Sequence, residues 1–507
     1  MGLELIQSGP PWRRLACWLG LLLLAAALIQ GFCALRAAVP ALDAVRFVAL
    51  AERAGSESCW TLWTATGEEP LFPFWLRAVR GTAARISGGM PVNWATCVQL
   101  AAAIPAALSV VPVFLLSVRL VGERGAVAGT FLFCTLPVVV RLGAQGLSEG
   151  LFLFLFAFAA WTAVQYFQTH RSWWLAAAAV FSALATMTRI EGAALVLVLV
   201  PMVLIENLSL GSDFSASAKW RRVSHRLLSA AAVLCLFCLF LLPFRFASGS
   251  APQTAESTHG PQLEGESVAH SFAVKEKSLR NRGVIAGGRQ FAEEFAKAWN
   301  YIGLVGLGVG YWLLRGNSRG GERFIHAFWL FFGGILLIFA IWEGYLAARH
   351  LLPMVATGAG CAAIGLLHIG NRPAWGLFVI AVLFGLLRTA EPLHAERAGY
   401  RFAGRWLAEQ SGGAKVLDTK GWTRLYSGRT TYQYDKAKEA FADTDLGFVV
   451  VDPRELTYDS PRSRTLSGLL ARRGEKLAEF PPLAPRVAVY RWNPGTDQDE
   501  KPNRLFF

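Results

Sequence analysis

Several ionisable residues lie near the ends of long apolar runs in this sequence. An ionisable side chain at a membrane edge is costly, so each one marks a candidate functional site. A carboxylate can take a proton from a hydroxyl group, and guanidinium groups can hold a phosphate through paired hydrogen bonds. Group transfer from a phosphate-bearing leaving group needs both. The candidates for this chemistry are Asp43, Arg46, Glu69, Arg141, Arg189, Glu191 and Arg349.

Each candidate also has an ordinary structural explanation. Asp43 precedes the helical segment AVRFVALAERA, and aspartate is a favoured helix N-cap. Glu69 precedes Pro70, and a proline in the first turn commonly starts a helix. An arginine at the end of a membrane helix often extends its guanidinium to the interface without binding a ligand. The residue types alone leave these alternatives open.

The composition predicts a protein with many membrane-spanning helices. Of 507 residues, 54% are hydrophobic and 17% are charged, and the mean hydropathy is +0.39. Soluble domains carry about 25% charged residues. The net charge of +14 does not indicate a nucleic-acid partner, because the basic residues are spread over loops between apolar runs.

The cysteines predict neither a disulfide framework nor a zinc site. Of the eight, only Cys59 lies in a long polar loop, and the histidines are scattered without an HExxH motif. Cys235 and Cys238 lie within AAVLCLFCLFLL, which favours a packing role over a redox pair. The sequence therefore requires no cofactor, and a divalent metal has no support.

The sequence contains eleven apolar runs, and their lengths are close to the about 20 residues that a helix needs to cross a bilayer. They lie at 15–35, 93–117, 125–140, 149–168, 173–188, 191–208, 227–246, 299–314, 325–346, 351–368 and 374–389. Arg13 and Arg14 precede the first run. That run is too long for the apolar part of a cleaved signal peptide, so we interpret it as a retained signal anchor.

Basic residues in the short loops predict the orientation of these spans. With a cytoplasmic N-terminus, the short outer connections carry only one arginine each: Arg141, Arg189 and Arg349. This pattern predicts a multi-pass protein of the cell (inner) membrane with its C-terminus outside. The loops 36–92 and 247–298 then lie on the outer side. The same outer edge also collects Glu68, Glu149 and Glu343.

The end of the chain has a different character. Helix-like segments at 398–410, 434–441 and 462–473 alternate with strand-like segments at 414–417, 448–451, 476–480 and 487–492. We therefore predict a transmembrane domain at 1–390 and a soluble α/β domain at 391–507 on the outer side. No glycine-rich phosphate loop opens a helix there, so nucleotide binding has no support.

Four short segments resemble motifs of the GT-C superfamily of glycosyltransferases. DAVRF at 43–47 is similar to an Asp-Glu-x-Arg-Tyr motif, and EPLFPFW at 69–75 resembles a Pro-rich helix start in the first outer loop. ATMTRIEG at 185–192 is similar to a Thr-Arg-Pro-Glu-Gly turn, and ARHLLP at 348–353 is similar to an Arg-Tyr-Leu-Leu-Pro segment. The layout is most similar to bacterial protein O-mannosyltransferases and aminoarabinose transferases. The chain departs from the first motif at Ala44 and Phe47.

This resemblance implies a polytopic α-helical, GT-C-like fold. It also implies an inverting glycosyltransferase that uses an undecaprenyl- or dolichyl-phosphate-linked sugar and a protein, lipid or glycan acceptor. Asp43 would be the catalytic base. The implied substrate- and phosphate-binding residues are Arg46, Glu69, Arg141, Arg189, Glu191 and Arg349. Because Ala44 replaces an acidic residue, the resemblance gives no metal site.

Two other functional classes remain as alternatives. A multi-span transporter or lipid flippase is expected to show internal repeats and helices broken by Gly or Pro near the midplane. The sequence shows no convincing repeat, and its charges gather at one edge. A non-catalytic membrane scaffold that presents the C-terminal domain to a partner would be expected to have an acid-poor first loop, which this chain lacks.

Overall fold

The apolar runs form helices, because a helix satisfies its own backbone N–H and C=O groups where no water is available. The structure, a computed structural model, describes residues 12–57, 69–90, 92–205, 224, 226–241, 283–315, 320–369, 373–480 and 487–493. Among these residues, the α-helices up to residue 389 are α1 (Trp12–Arg36), α2 (Leu42–Arg53), α3 (Leu71–Ile86), α4 (Trp94–Leu108), α5 (Val110–Thr135), α6 (Pro137–Gln145), α7 (Glu149–Thr169), α8 (Ser172–Thr186), α9 (Ala193–Ile205), α10 (Arg226–Leu241), α11 (Gly283–Ala298), α12 (Ile302–Leu314), α13 (Gly320–Glu343), α14 (Leu352–His368) and α15 (Pro373–Thr389).

Several of these helices are long and apolar enough to cross a membrane. Within the described residues they are Trp12–Arg36, Trp94–Thr135, Glu149–Thr169, Gly320–Glu343 and Ala348–His368, and further apolar helices are shorter. The backbone of α5 leaves helical geometry at Gly122, whose φ of +76° suits glycine. This break separates the runs predicted at 93–117 and 125–140. The multi-span helical character is confirmed, whereas the number of eleven spans stays a prediction.

Glycines bring the backbones of α5, α12 and α14 close together. A Cβ atom on Gly365 of α14 would overlap the carbonyl oxygen of Gly306 in α12, and one on Gly129 of α5 would overlap the backbone of Gly360. In lipid, helices associate mainly through close van der Waals packing, which small residues at the contact allow. These glycines therefore fix how the three helices pack.

The candidate residues gather at one end of the helical bundle. The Ala41 N–H donates to the Gln145 carbonyl at 2.8 Å, which ties the start of α2 to the end of α6. The Leu71 N–H donates to the Met187 carbonyl at 3.2 Å, which ties the start of α3 to the turn after α8. The sequence predicted this common placement. That this end faces the outside remains an expectation.

Helix α11 supports the segment that leads into α14. Glu294 Oε2 accepts a hydrogen bond from the Ala348 N–H at 2.8 Å, and Gln290 Nε2 donates to the Leu346 carbonyl at 3.2 Å. Helix α11 is the described part of the predicted outer loop 247–298. The rest of that loop, Cys59 and Glu68 lie outside the described residues.

The end of the chain forms a small mixed sheet with helices. Its strand order is β2-β1-β3-β5-β4, with β1 parallel to β2 and β3, and β5 antiparallel to β3 and β4. The elements are α16 (Ala398–Glu409), β1 (Lys415–Asp418), α17 (Arg424–Ser427), β2 (Thr431–Tyr432), α18 (Ala437–Ala442), β3 (Leu446–Val451), α19 (Pro461–Arg473), β4 (Gly474–Phe480) and β5 (Val487–Trp492). The predicted segments are all present, and β2 and α17 are additional. The domain boundary at 390 is untested.

Candidate functional site

A buried carboxylate, Glu149, organises the charged residues at this end of the bundle. Its side chain is only 3% exposed, and Oε1 lies 2.8 Å from Nη1 of Arg189. Arg189 Nη2 donates to Glu191 Oε1 at 2.8 Å, and the same oxygen lies 3.3 Å from Nδ1 of His350. Glu149 is the first residue of α7, where the helix dipole favours a negative charge. Arg189 is therefore held between two carboxylates.

The turn that carries Arg189 is braced from the first loop. Glu69 interacts favourably with the Arg189 charge and lies two residues before Leu71. The N–H of Leu71 is the donor that binds the Met187 carbonyl, two residues before Arg189. The EPLFPFW and TRIEG segments, which are far apart in the sequence, are thus joined in the fold.

Arg349 connects this network to a cavity. Its Nε lies 3.6 Å from Glu149 Oε1, and its side chain is 34% exposed. The cavity has a volume of about 440 Å³. Its lining residues are Pro137, Val138, Arg141, Gln145, Lys297, Tyr345, Ala347, Ala348, Arg349, Arg388 and Glu391. Four of them are cationic and one is acidic, so the cavity suits an anionic group.

The cations of the cavity differ in how far they are already paired. Arg141 Nη2 donates to the Arg388 carbonyl at 2.6 Å, and it lies 3.7 Å from the largely exposed carboxylate of Glu391. Lys297 Nζ lies 2.8 Å from both Glu293 and Glu294 on its own helix. Arg141, Arg349 and Arg388 therefore retain more donor capacity for a ligand than Lys297 does.

Asp43 does not line the cavity, but its helix begins beside Gln145 of the cavity wall. It is the second residue of α2, and Ala41 is the N-cap, so the interpretation of Asp43 as the helix cap is wrong. A carboxylate in the first turn still benefits from the helix dipole. The side chain is exposed and has no hydrogen bond or ion pair within the described residues. The Ala41 N–H bond to Gln145 joins the start of α2 to the cavity wall.

Arg46 is the remaining candidate. It is exposed on α2, three residues after Asp43, and residues at this spacing share one side of a helix. Asp43 and Arg46 therefore lie side by side. Of the other candidates, the structure brings Glu69, Arg189 and Glu191 into the network, and it brings Arg141 and Arg349 into the cavity wall.

Sequence reasoning did not select several residues that belong to this site. Lys297, Tyr345 and Arg388 line the cavity, and His350 joins the network. The signal for Arg388 and Lys297 was their position at the ends of apolar segments, as for Arg141. His350 stands where the similar motif has tyrosine.

The described part of the chain contains no group of three or more His, Cys, Asp or Glu side chains that could hold a metal ion. In the network, the carboxylates of Glu149 and Glu191 instead face the guanidinium of Arg189.

Residues 69–242 match a family model described as dolichyl-phosphate-mannose-protein mannosyltransferase. No curated protein matches this sequence. The matched region includes the EPLFPFW and TRIEG segments and Glu149, and it ends before Arg349.

Solved structures of membrane glycosyltransferases share the fold. ArnT from Cupriavidus metallidurans, bound to undecaprenyl phosphate, is 13% identical with a TM-score of 0.57, over 94% of this chain and 98% of that chain. The oligosaccharyltransferase AglB from Archaeoglobus fulgidus, in complex with an inhibitory peptide and a dolichol-phosphate, is 11% identical with a TM-score of 0.52, over 93% and 74% of the two chains. These matches confirm the predicted resemblance to GT-C glycosyltransferases. At this identity they establish a common fold.

Proposed function

We propose that this protein transfers a sugar from a polyprenyl-phosphate donor in the membrane to an acceptor hydroxyl at the outer face, with inversion at the anomeric carbon. The basic cavity beside the start of α2 carries the proposal. Its wall of Arg141, Arg349 and Arg388 suits a phosphate, and α2, which carries the exposed carboxylate of Asp43, begins with a bond to the same wall. These are the two groups that the reaction needs.

The donor phosphate would occupy the cavity. Guanidinium groups bind phosphate oxygens through paired, charge-assisted hydrogen bonds. A lipid-linked donor also explains a site at the end of a helical bundle, since the lipid tail stays in hydrocarbon while the sugar meets an acceptor outside it. The similar structures of ArnT and AglB hold undecaprenyl phosphate and dolichol-phosphate, respectively.

Asp43 would act as the general base. It takes the proton of the acceptor hydroxyl, and the hydroxyl oxygen forms a bond to the anomeric carbon from the face opposite the phosphate. The bond between the anomeric carbon and the phosphate oxygen breaks, and its electron pair leaves with the polyprenyl phosphate. The leaving phosphate gains negative charge, which the cavity cations stabilise more strongly than they stabilise the donor.

The remaining candidates have supporting roles. The sequence predicts a phosphate contact for Arg189, but its guanidinium pairs with Glu149 and Glu191, which favours a bracing role. Glu69 and Glu191 would hold Arg189 in place. Arg46, on the same side of α2 as Asp43, would face the acceptor or the departing phosphate.

The alternative of a transporter or lipid flippase finds less support. Such proteins bind substrate near the middle of the membrane at broken helices. The charged network and the cavity described here instead lie at one end of the bundle, where loops meet. We therefore favour a reaction at the membrane surface over transport of a substrate through the membrane.

The decisive experiment compares Asp43→Asn with wild type in a strain that lacks this protein. Mass spectrometry of the surface glycans identifies the modification that wild type restores. Removal of a general base should lower the rate of transfer by about 10²- to 10⁴-fold. Transfer within a few-fold of wild type, with normal membrane insertion, would remove Asp43 from this role.

Glu57→Gln is the matched control. Glu57 lies just beyond the same helix and pairs with Arg53 at the surface, at 3.0 Å. It changes a nearby carboxylate to an amide in the same way, and we expect it to transfer sugar as wild type does. An equal loss in both variants would indicate damage to the loop and not loss of a base.

A further inference from the structure

The position of Asp43 depends on the backbone of α2. Its side chain is exposed and has no hydrogen bond or ion pair within the described residues that would fix it. A general base must lie within hydrogen-bonding distance of the proton that it takes, and a displacement of about 1 Å can cost about 10²-fold in rate. Whatever fixes the start of α2 therefore fixes the geometry of the base.

The segment before α2 is tied to the C-terminal part of the chain. Trp422 Nε1 donates to the Pro40 carbonyl at 3.1 Å, and this bond is buried. The Tyr426 hydroxyl donates to the Ala38 carbonyl at 3.4 Å. The Ala38 N–H in turn donates to the Leu393 carbonyl at 3.0 Å. Residues beyond 390 therefore form hydrogen bonds with the backbone on both sides of Val39.

A third contact holds the other end of the helix. Arg424 Nη2 pairs with Glu52 Oε2, and each side chain is about 30% exposed. Glu52 is the second-last residue of α2. Contacts at both ends of a 12-residue helix restrain its rotation and its tilt, which a contact at one end would not do.

The anchoring segment itself is rigid. The fully buried carboxylate of Asp418, at the end of β1, accepts hydrogen bonds from the Lys420 N–H at 2.9 Å and from the Thr423 N–H and hydroxyl at 2.7 Å each. Gly421 between them has a φ of +81°. Burial raises the pKa of Asp418, and the three donors oppose that rise. The turn is therefore closed by its own side chain.

Trp422 is buried and packs against two neighbouring side chains. Only 2% of its surface is exposed. The guanidinium of Arg397 lies 4.9 Å from the ring centre, and the ring of Tyr400 lies 5.2 Å away. A ring held in this way can direct its N–H at one carbonyl without losing side-chain entropy on binding.

We propose that Trp422, Arg424 and Tyr426 are positioning residues for Asp43. They hold α2 from the C-terminal domain, while the Ala41 N–H bond to Gln145 holds it against the cavity wall. This inference rests on the proposed function only for the role of Asp43. The anchor itself is a physical property of the chain and can be measured without any sugar donor.

The first arm of the test measures the anchor. Amide hydrogen exchange of the segment 38–53 is compared in full-length wild type, Trp422→Phe and Tyr426→Phe, each purified in lipid nanodiscs. Loss of the buried Trp422 hydrogen bond should raise exchange in this segment by about tenfold, and loss of the partly buried Tyr426 hydrogen bond should raise it by less. The matched control is Tyr432→Phe, which loses a hydroxyl bonded to Asp443 inside the small sheet. It should leave the segment unchanged.

The second arm measures transfer. With an undecaprenyl-phosphate-linked sugar donor that wild type uses, Trp422→Phe should lower kcat by about tenfold and leave KM for the donor within about twofold. A merely destabilised protein would instead lose active fraction. Activity is therefore normalised to folded protein measured by binding of undecaprenyl phosphate.

Reversal of a charge pair provides the rescue. Arg424→Glu should raise exchange and lower kcat. The double variant Arg424→Glu/Glu52→Arg should return both quantities most of the way to their wild-type values, because the ion pair is restored with opposite polarity. The control Arg491→Glu breaks a more exposed ion pair, in which Nη1 lies 3.2 Å from Oε2 of Glu475 in the sheet. It should change neither quantity.

Two results would overturn the inference. Unchanged exchange in 38–53 for both Trp422→Phe and Tyr426→Phe would show that the anchor does not restrain α2. Faster exchange with unchanged kcat would show that the anchor does not position the base. If wild type transferred no sugar at all, the proposed function would fail, and the exchange arm would still decide whether the anchor exists.

Discussion

Arg189 Nη1 lies 2.8 Å from Oε1 of Glu149, although the two residues are 40 positions apart in the sequence. The carboxylate is almost completely buried, and the same oxygen lies 3.6 Å from Nε of Arg349. One buried carboxylate thus serves an arginine of the network and an arginine of the cavity. A buried charge is tolerated when it is paired in this way, so changes at Glu149 should affect both stability and binding.

We expect Glu149→Gln to lower the free energy of unfolding by about 2 kcal/mol, because Arg189 loses one of its two carboxylates and keeps the other. Affinity for undecaprenyl phosphate should rise, since Arg349 loses a competing carboxylate and the site loses a negative charge. Unfolding in mixed micelles and ligand binding in nanodiscs measure the two effects. Glu123→Gln, which breaks a pair with Arg14 elsewhere in the bundle, is the control for a lost ion pair and should not affect binding.

Neutralising the cavity arginines one at a time should weaken lipid-phosphate binding. Arg141→Gln, Arg349→Gln and Arg388→Gln should each lower affinity for undecaprenyl phosphate by about tenfold, the effect of one charge-assisted hydrogen bond. Lys297→Gln should have a smaller effect, because Glu293 and Glu294 already pair with it. Native mass spectrometry in lipid provides the measurement.

Arg171→Gln is the control for these arginine variants. Arg171 is exposed at the start of α8, the end of that helix away from the network, and does not line the cavity. If it weakened binding as much as the three cavity variants do, the affinity would reflect overall charge and not the cavity.

The close contact of α12 and α14 predicts a strong effect of side-chain volume. Gly365→Val should destabilise the bundle, because the new Cβ would overlap the Gly306 carbonyl and force the two helices apart. Gly308→Val is the matched control on α12, where nothing lies within 4 Å of an added Cβ. Thermal unfolding of both variants should show a clear drop in Tm for Gly365→Val alone. Equal Tm values would contradict the packing described here.

The ion pair of Lys415 and Asp443 predicts a pH dependence. Hydrogen bonds from Lys415 and Tyr432 lower the pKa of Asp443 from 3.8 to about 2. Its stabilising contribution is thus present above pH 3.8 and is lost as the pH falls through about 2. Asp443→Asn should lower Tm at pH 7, and its difference from wild type should shrink on acidification below pH 4. A difference that did not depend on pH would reflect packing alone. Asp459→Asn, at a largely exposed carboxylate, should have no effect.

The sequence was most informative where a periodic pattern covers many residues. Long apolar runs predicted the membrane helices, and the short alternating segments after residue 390 predicted β1, β3, β4 and β5. Helix α17 has four residues and strand β2 has two, so no pattern develops over them. Both depend on tertiary contacts, such as the Asp418 turn, which sequence spacing does not reveal.

The candidate site was predictable as a set of residues but not as an arrangement. The cost of charge at a membrane edge pointed to Arg141, Arg189 and Arg349. It did not show that Arg189 faces two carboxylates while Arg141 faces a cavity, because that difference depends on how α6, α7 and the turn after α8 pack. Arg388 and Lys297 reach the same cavity from distant parts of the chain, which only the fold brings together.

The bond between Trp422 and Pro40 joins residues that are 382 positions apart. Ribosomes make a chain from its N-terminus, so α2 emerges early and its anchor emerges only after helices α1 to α15 have been made. The loop that carries Asp43 must therefore wait for the last part of the polypeptide before it can take its final geometry. Under the proposed function, a chain that is still being inserted would lack the final geometry of its base.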